Sequence, residues 1–351
     1  MPKLLVTGGG GFIGSHAAEY FANKGYSVRV VDNLSRELLL GKPDASTRFN
    51  WDLLAARGDI ELIRGDVRDE VLVERVTSDV DVIIHAAAQT AVTTSVSDPR
   101  PDFTTNLVGT FNVLEGARRS GRRPVVVYCS TNKVYGENVN RVGIVEKEQR
   151  YCFEEKFSAG IPESFDVDLC EHTPYGCSKL GGDLYVQDYA RLYGLRTAVF
   201  RMSCIYGTRQ FGVEDQGWVA WFAIATITGR PLTIYGDGKQ VRDVLWVEDV
   251  IRAYDAFIES DLAHDVFNLG GGPSFTLSLL ELIDLLAERT GRRPKPAYAD
   301  WRPSDQKVYV SDIRSVRERL AWSPRISPGE GVNRLVAWVE EHRSRFEKPA
   351  V

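Results

Sequence analysis

The sequence predicts an α/β protein: a doubly wound parallel sheet with a smaller α/β C-terminal domain. Three observations carry this. Through the first two thirds of the 351 residues, short β-branched runs alternate with helix-like segments, the texture of βαβ units. Runs such as Val125-Val126-Val127 are apolar at successive positions, as in strands covered on both faces. A glycine-rich turn joins the first strand to the first helical pattern.

In chain order, the β-branched runs predict strands at Lys3–Thr7, Ser27–Asp32, Glu61–Arg64, Val80–His85, Pro124–Ser130 and Arg196–Arg201. Helical periodicity falls between them at Phe12–Lys24, Val71–Thr77, Asn106–Ser120 and Pro174–Tyr193. After Tyr206 the texture shifts to Gly, Pro and Trp clusters with short elements, as expected of a smaller second domain, while Gln240–Val250 and His264–Leu269 are expected to return to the first. The resulting division is 1–204 plus 241–268 for the first domain, and 205–240 with 269–351 for the second. From Asn138 to His172 the chain is polar, irregular and rich in Glu, which predicts a long functional loop acting as a lid.

Composition narrows the function classes. Hydrophobic residues at 43% and charged residues at 26% are ordinary globular values, which excludes a disordered or fibrous chain. A net charge of −5 and a pI near 5.7 provide no dense basic face for nucleic acid. The five cysteines (129, 152, 170, 177 and 204) are odd in number and lack CxxC spacing, so no metal site or disulfide framework is expected, and reduced thiols suit a cytoplasmic protein. Lys3-Leu4-Leu5-Val6-Thr7 enters a strand at once, unlike a signal peptide. The apolar stretch from Gly217 to Ile227 falls short of the ~20 residues of a bilayer span.

Chemistry begins at Thr7-Gly8-Gly9-Gly10-Gly11-Phe12-Ile13-Gly14. Gly8, Gly11 and Gly14 keep a three-residue spacing between a strand and a helix. Glycines there permit the tight turn and close approach of backbone to a pyrophosphate, while the helix start at Phe12 and Ile13 offers N–H groups to it. Asp32 ends the second strand, 18 residues after Gly14. A carboxylate there accepts from ribose hydroxyls and repels a 2′-phosphate, so NAD is expected over NADP, with Arg36 the one nearby cation that could take such a phosphate. This is the signature of a Rossmann-type domain. Asp66-Val67 and Ala86-Ala87-Ala88 follow the third and fourth strands, and strand ends in such a sheet open onto the ligand crevice.

The second constellation is Tyr175-Gly-Cys-Ser-Lys179. Four residues apart on a helix, Tyr175 and Lys179 share a face. An ammonium and a nicotinamide cation nearby favour the phenolate, which can then take a proton from a sugar hydroxyl as hydride leaves for NAD. Thr131, at a strand end, supplies a hydroxyl that can bridge substrate and Tyr175.

Together these segments resemble the extended short-chain dehydrogenase/reductase family: Gly8-x-x-Gly11-x-x-Gly14, Asp32-Asn33-Leu34, Asn106-Leu-Val-Gly109-Thr110, Ser130-Thr131-Asn132-Lys133-Val134-Tyr135-Gly136 and Tyr175-x3-Lys179. Gly236-Asp-Gly-Lys-Gln240-Val-Arg242-Asp243 and Arg302-Pro303-Ser304-Asp305 resemble the nucleotide-sugar epimerases and dehydratases of that family. The resemblance spans residue 3 to about 340. It implies that Asn33, Asn106, Tyr175 and Lys179 also serve the cofactor, and that Asn132 and Lys133 lie at the substrate. Arg242 can clamp a diphosphate, Arg302 with Asp305 can do the same or hold a ribose, and Arg209-Gln210 can lie beside base or sugar. Ser203-Cys204 lacks an Asn that many relatives use for the diphosphate. The pair Asn132-Lys133 replaces the Asp-Glu of the dehydratases, which removes their acid and base. His85 is expected to be structural and Trp218 and Trp221 to pack, while His172, just before Pro174-Tyr175, is one residue that could touch the active site.

The expectation is an NAD-dependent nucleotide-sugar epimerase, a homodimer or homotetramer, acting at C2 of a CDP-hexose as the resemblance of Gln210-Phe and Asp215-Gln-Gly-Trp218 implies. The alternatives are a UDP-hexose 4-epimerase of the same family and a catalytically silent NAD-binding regulator.

Overall fold

Apolar runs form strands largely where their pattern places them. The computed structural model describes residues 1–36, 48–302 and 305–347. In chain order the elements are β1 (Lys3–Thr7), α1 (Phe12–Asn23), β2 (Ser27–Asp32), α2 (Phe49–Ala55), β3 (Ile60–Arg64), α3 (Glu70–Thr77), β4 (Val82–His85), α4 (Val92–Ser97), α5 (Pro99–Phe103), α6 (Gly109–Arg119) and β5 (Val125–Thr131). Next come β6 (Ile144–Glu146), β7 (Tyr151–Phe153), α7 (Thr173–Tyr193), β8 (Thr197–Met202), β9 (Cys204–Tyr206), α8 (Trp218–Thr228), β10 (Thr233–Tyr235) and β11 (Val241–Trp246). The remainder is α9 (Val247–Glu259), β12 (His264–Leu269), β13 (Thr276–Ser278), α10 (Leu279–Thr290), β14 (Ala297–Ala299), β15 (Val308–Tyr309), α11 (Arg314–Leu320) and α12 (Pro328–Glu341). No described helix is long and apolar enough to cross a membrane.

The chain divides into two units. The first comprises Met1–Val134, Thr173–Arg201 and Ile251–Phe267. Among the described residues its sheet has seven strands in the order β12-β8-β5-β4-β1-β2-β3, and the β1–β2, β1–β4, β2–β3 and β4–β5 pairs are parallel. The order runs outward in both directions from β1, so the point of reversal lies between β1 and β4, where such sheets bind ligands beyond the strands' carboxyl ends. Leu4, Leu5, Val6, Ile83, Ile84 and Val127 are fully buried, as the unalternating runs require. Asp69 caps α3 by accepting from the Leu72 N–H.

Two short helices, α4 and α5, escaped the sequence reading because β-branched residues and two prolines fill them. The expected helix from Asn106 begins instead as a π-turn, Thr104–Val108, which runs into α6.

The second unit comprises Tyr135–His172, Met202–Val250 and the chain from Asn268 on. Here the expected domain boundaries need correction. β11 does not return to the large sheet. It pairs with β9, β13 and β15, with its Asp243 carboxylate fully buried and accepting from the Gly272 N–H and the Ser203 hydroxyl. The segment expected as an irregular loop carries 3-10 turns and the β6–β7 hairpin, pairing Ile144 with Phe153, and belongs to the second unit from Tyr135 on. Gly136 permits its sharp start: at φ +55° its Cα faces the Glu171 carbonyl, and a Cβ would stand 2.6 Å from that oxygen.

Candidate active site

The glycine turn is built for close approach. Gly8 has φ +72°, and a Cβ on it would lie 2.6 Å from the backbone of Ala87; one on Gly14 would lie 2.3 Å from the Gly8 carbonyl. The turn therefore presses directly on the alanine run, which explains small residues on both sides. The N–H of Gly11 closes onto the Gly8 carbonyl at 3.1 Å, and α1 begins at Phe12 with no side chain capping it. Its first N–H groups and its positive dipole end are thus available to an anion.

A buried hydrogen-bond chain holds this floor together. The Ala87 N–H lies 3.4 Å from the Thr7 hydroxyl, which lies 2.6 Å from His85 Nδ1; His85 Nε2 is 2.9 Å from the Thr110 hydroxyl, which donates to the Asn106 carbonyl at 2.5 Å. Since Thr110 donates onward, His85 must donate from Nε2 and accept from Thr7 at Nδ1. Burial pushes the His85 ring down to about 3, so it stays neutral. His85 is structural, as expected.

Asp32 turns both oxygens inward, accepting from the Gly10 N–H at 2.9 Å and the Leu34 N–H at 2.7 Å, which leaves one lone pair per oxygen for a ribose. Burial raises its pKa, while these two bonds act the other way. Asn33 donates to Asp66 at 2.9 Å, and Asp66 is also gripped by Arg68 at 2.6 and 2.9 Å, which holds its carboxyl down at about 2. Val67 is buried, its carbonyl accepting from Asn112. The buried Asn106 amide bonds the Gln89 backbone, Asp102 and Ser178, which ties it to the loop after Ala88. Neither Gln89, Asp102 nor Ser95, which accepts from the Tyr175 N–H at 3.2 Å, carries a signal in the sequence.

Thr131, at the carboxyl end of β5, lies close enough to Tyr175, near the start of α7, to favour the ionised phenol. Burial pushes the Tyr175 phenol up to about 12, with Thr131 acting the other way. Lys179 is 3% exposed; its Nζ donates to the Cys129 carbonyl at 2.6 Å and stands 4.2 Å from the centre of the Tyr128 ring. Burial pulls Lys179 down to about 8, against the opposing pull of Cys129, Asp183 and Asp102. The shared helix face therefore does not by itself make a phenolate, because the ammonium is turned onto β5. Asn132 is buried beside Thr131, with its Oδ1 3.3 Å from the Thr131 hydroxyl, and Lys133 donates its N–H to that hydroxyl at 3.3 Å.

The remaining expected residues lie in the second unit. Arg242 pairs with Asp305 at 2.7 Å, whereas Arg302 pairs with Asp215 at 2.8 Å and stacks 4.0 Å over Tyr235. Pro303 and Ser304 lie outside the described residues. Arg209 is buried at φ +64°, and Gln210 donates to the Ile205 carbonyl. Cys204, at the position of the missing Asn, takes the Trp218 indole N–H at 3.3 Å, and Trp218 packs edge-on to Phe222. His172 is turned away onto the Val167 carbonyl at 2.7 Å. Asn140, Trp301, Asp305 and Lys307 help line a cavity of about 450 Å³ within this unit.

The model of the NAD dependent epimerase/dehydratase family matches residues 4–270. The chain belongs to this family. Relatives within it include the CDP-paratose 2-epimerase of Salmonella typhi, 40% identical over 96% of this chain and 98% of its own length, and a putative UDP-glucose 4-epimerase of Methanocaldococcus jannaschii, 32% identical over 97% and 99%. Among solved structures, the Thermotoga maritima UDP-glucose 4-epimerase with UDP-glucose superposes with a TM-score of 0.80 at 31% identity, covering 97% of this chain and 99% of that one. The Thermus thermophilus UDP-glucose 4-epimerase complex with NAD gives 0.75 at 30% identity, covering 96% and 99%. The family is NAD dependent, and the first unit fits that group: the cradle at Gly8 and Gly14 would be filled by any Cβ, the α1 N-terminus is uncapped by side chains, and Asp32 retains acceptor capacity.

Proposed function

We propose that the protein epimerises C2 of a CDP-linked hexose by transient oxidation to a keto-sugar. The observation that carries the chemistry is the buried cluster of Thr131, Tyr175 and Lys179 at the carboxyl end of β5. NAD, when bound, supplies a hydride acceptor that becomes a hydride donor, and its positive charge adds to that of Lys179. Tyr175 takes the proton of the sugar hydroxyl, and Thr131 orients that hydroxyl and steadies the phenolate. Lys179, held by the Cys129 carbonyl, supplies the local positive charge. Once the sugar presents its other face, Tyr175 returns the proton and the site is restored without net redox change. Arg242 and Arg302 are the groups suited to the substrate diphosphate, on exchanging Asp305 and Asp215 for phosphate oxygens. Likeness to the Salmonella typhi relative supports C2 and CDP; likeness to the UDP-glucose 4-epimerases supports the same chemistry at C4 as the second reading.

Isotope retention tests this. A CDP-hexose deuterated at C2 is expected to yield a C2 epimer that keeps its deuterium, because the same hydride returns; NMR of the product reads it. Complete washout into solvent would sink hydride return. Inversion at C4 with C2 untouched would retain the mechanism and replace the substrate assignment.

The assembly we propose is a homodimer through α6 and α7. Phe111 on α6 and Leu184, Tyr185, Leu192 and Tyr193 on α7 are exposed, and Phe111 meets Tyr185 edge-on, which leaves an apolar strip on both helices. Sedimentation is expected to give a dimer that Leu184→Lys with Tyr185→Glu converts to monomer; a wild-type monomer at micromolar concentration would remove this assignment.

A further inference from the structure

Asp183 lies one helical turn beyond Lys179 on α7 and is completely buried. Its Oδ2 accepts from the Ser130 hydroxyl at 2.8 Å and from Arg201 Nε at 2.9 Å; its Oδ1 accepts from Gln187 Nε2 at 2.7 Å and Arg201 Nη2 at 3.2 Å. A buried Asp–Arg pair is by itself weak grounds for function, because desolvation offsets much of its attraction. Two details distinguish this one. The third partner, Ser130, directly precedes Thr131, whose side chain acts on the Tyr175 phenol. The carboxylate also acts on Lys179, favouring its charged form.

We propose that Asp183 is a positioning residue for the reaction: locked by Arg201, it fixes Ser130 and thereby Thr131 beside Tyr175, and it supplies the standing negative charge one turn from Lys179. This rests on the reading of Tyr175, Lys179 and Thr131 given above. Cys129 and Asp102 pull Lys179 in the same direction, but burial works against their ionised forms. From β4, His85 is neutral; from β5, burial pushes the Cys129 thiol up to about 11 and raises the Tyr128 phenol far above its ordinary value. Tyr254 of α9, 3.1 Å from the Cys129 sulfur, is likewise held protonated by burial. From α5, Asp102 is discouraged from ionising by burial, and Tyr175 on α7 is itself the reacting acid. Removing a negative charge eases proton loss from Lys179 and Tyr175 alike, so both limbs of the pH–rate profile must move to lower pH.

The test is the pH dependence of kcat for wild type, Ser130→Ala, Asp183→Asn and Asp183→Asn with Arg201→Gln. Ser130→Ala is expected to lower kcat by roughly tenfold or more with KM for the nucleotide-sugar and both limbs unchanged, because only the placement of Thr131 is loosened. The Asp183 variants are expected to add a displacement of both limbs to lower pH by about one unit. The double variant carries no uncompensated guanidinium and reads the charge effect if the single variant does not fold. Wild-type kcat in Ser130→Ala, or an undisplaced profile in the folded Asp183 variants, overturns the proposal. Wild-type turnover in Tyr175→Phe overturns the underlying reading instead, so the two failures are distinguishable.

Discussion

Replacing Tyr175 by phenylalanine is expected to lower kcat by roughly 10²–10⁴ while the protein still retains NAD and binds its nucleotide-sugar, since a positioned acid–base group contributes about that much. The change deletes one hydroxyl and leaves the helix intact. The Tyr175 N–H keeps its bond to Ser95, and Ser178 and Lys179 keep theirs to Asn106 and Cys129. What is lost is the group proposed to exchange a proton with the sugar. With burial holding the phenol up at about 12 and Lys179 facing the Cys129 carbonyl, the proposed phenolate would depend on the charge that NAD would bring. Steady-state kinetics with equilibrium dialysis of substrate separates the two quantities. A near-wild-type kcat would move the base elsewhere, and His172, tied to the Val167 carbonyl, is poorly placed to replace it.

Gly8→Ala is expected to abolish cofactor retention. Wild type should purify with NAD bound, because a redox-neutral cycle that released its cofactor midway would strand a ketone. At Gly8, φ is +72° and the new Cβ would stand 2.6 Å from the Ala87 backbone, which cannot give as a flexible side chain could. The left-handed conformation costs about 1–2 kcal/mol for an L-residue, and forcing apart packed backbone roughly another 1–3 kcal/mol. Separating the turn from the alanine run also breaks the Thr7–Ala87 contact and widens the phosphate cradle. Mass spectrometry of the denatured protein and a urea midpoint read the two effects. NAD at full occupancy with an unchanged midpoint would show that the turn has room the geometry denies.

Retained deuterium at C2 and conversion of the dimer to a monomer probe substrate and assembly. They are independent of these two variants.

Much of the first unit was legible because its information is local. β1 and β2 begin and end where the β-branched runs do; β3, β4 and β5 differ by one or two residues. Glycine spacing, Asp32 and the Tyr175–Lys179 interval are also short-range signals, each tied to a backbone or helical geometry that one sequence contains. Helices α4 and α5 were missed because their β-branched and proline residues speak against a helix that packing against α7 imposes.

Sequence alone determined the class of fold and marked the glycine turn and the Tyr175–Lys179 interval behind the proposed chemistry, because these rest on residue types at fixed short intervals. Tertiary structure alone decided which carboxylate each arginine meets: Asp305 for Arg242 across 63 positions, Asp215 for Arg302, and Asp183 for Arg201. It also decided that β11 lies between β13 and β15, and that Lys179 faces β5. Whereas Asp215 stays half exposed beside Arg302, the Arg201–Asp183 and Lys179 choices are made where residues apart in sequence are buried together. There, desolvation makes an unpaired charge so costly that the partner offered by the fold, and no local pattern, sets the pairing.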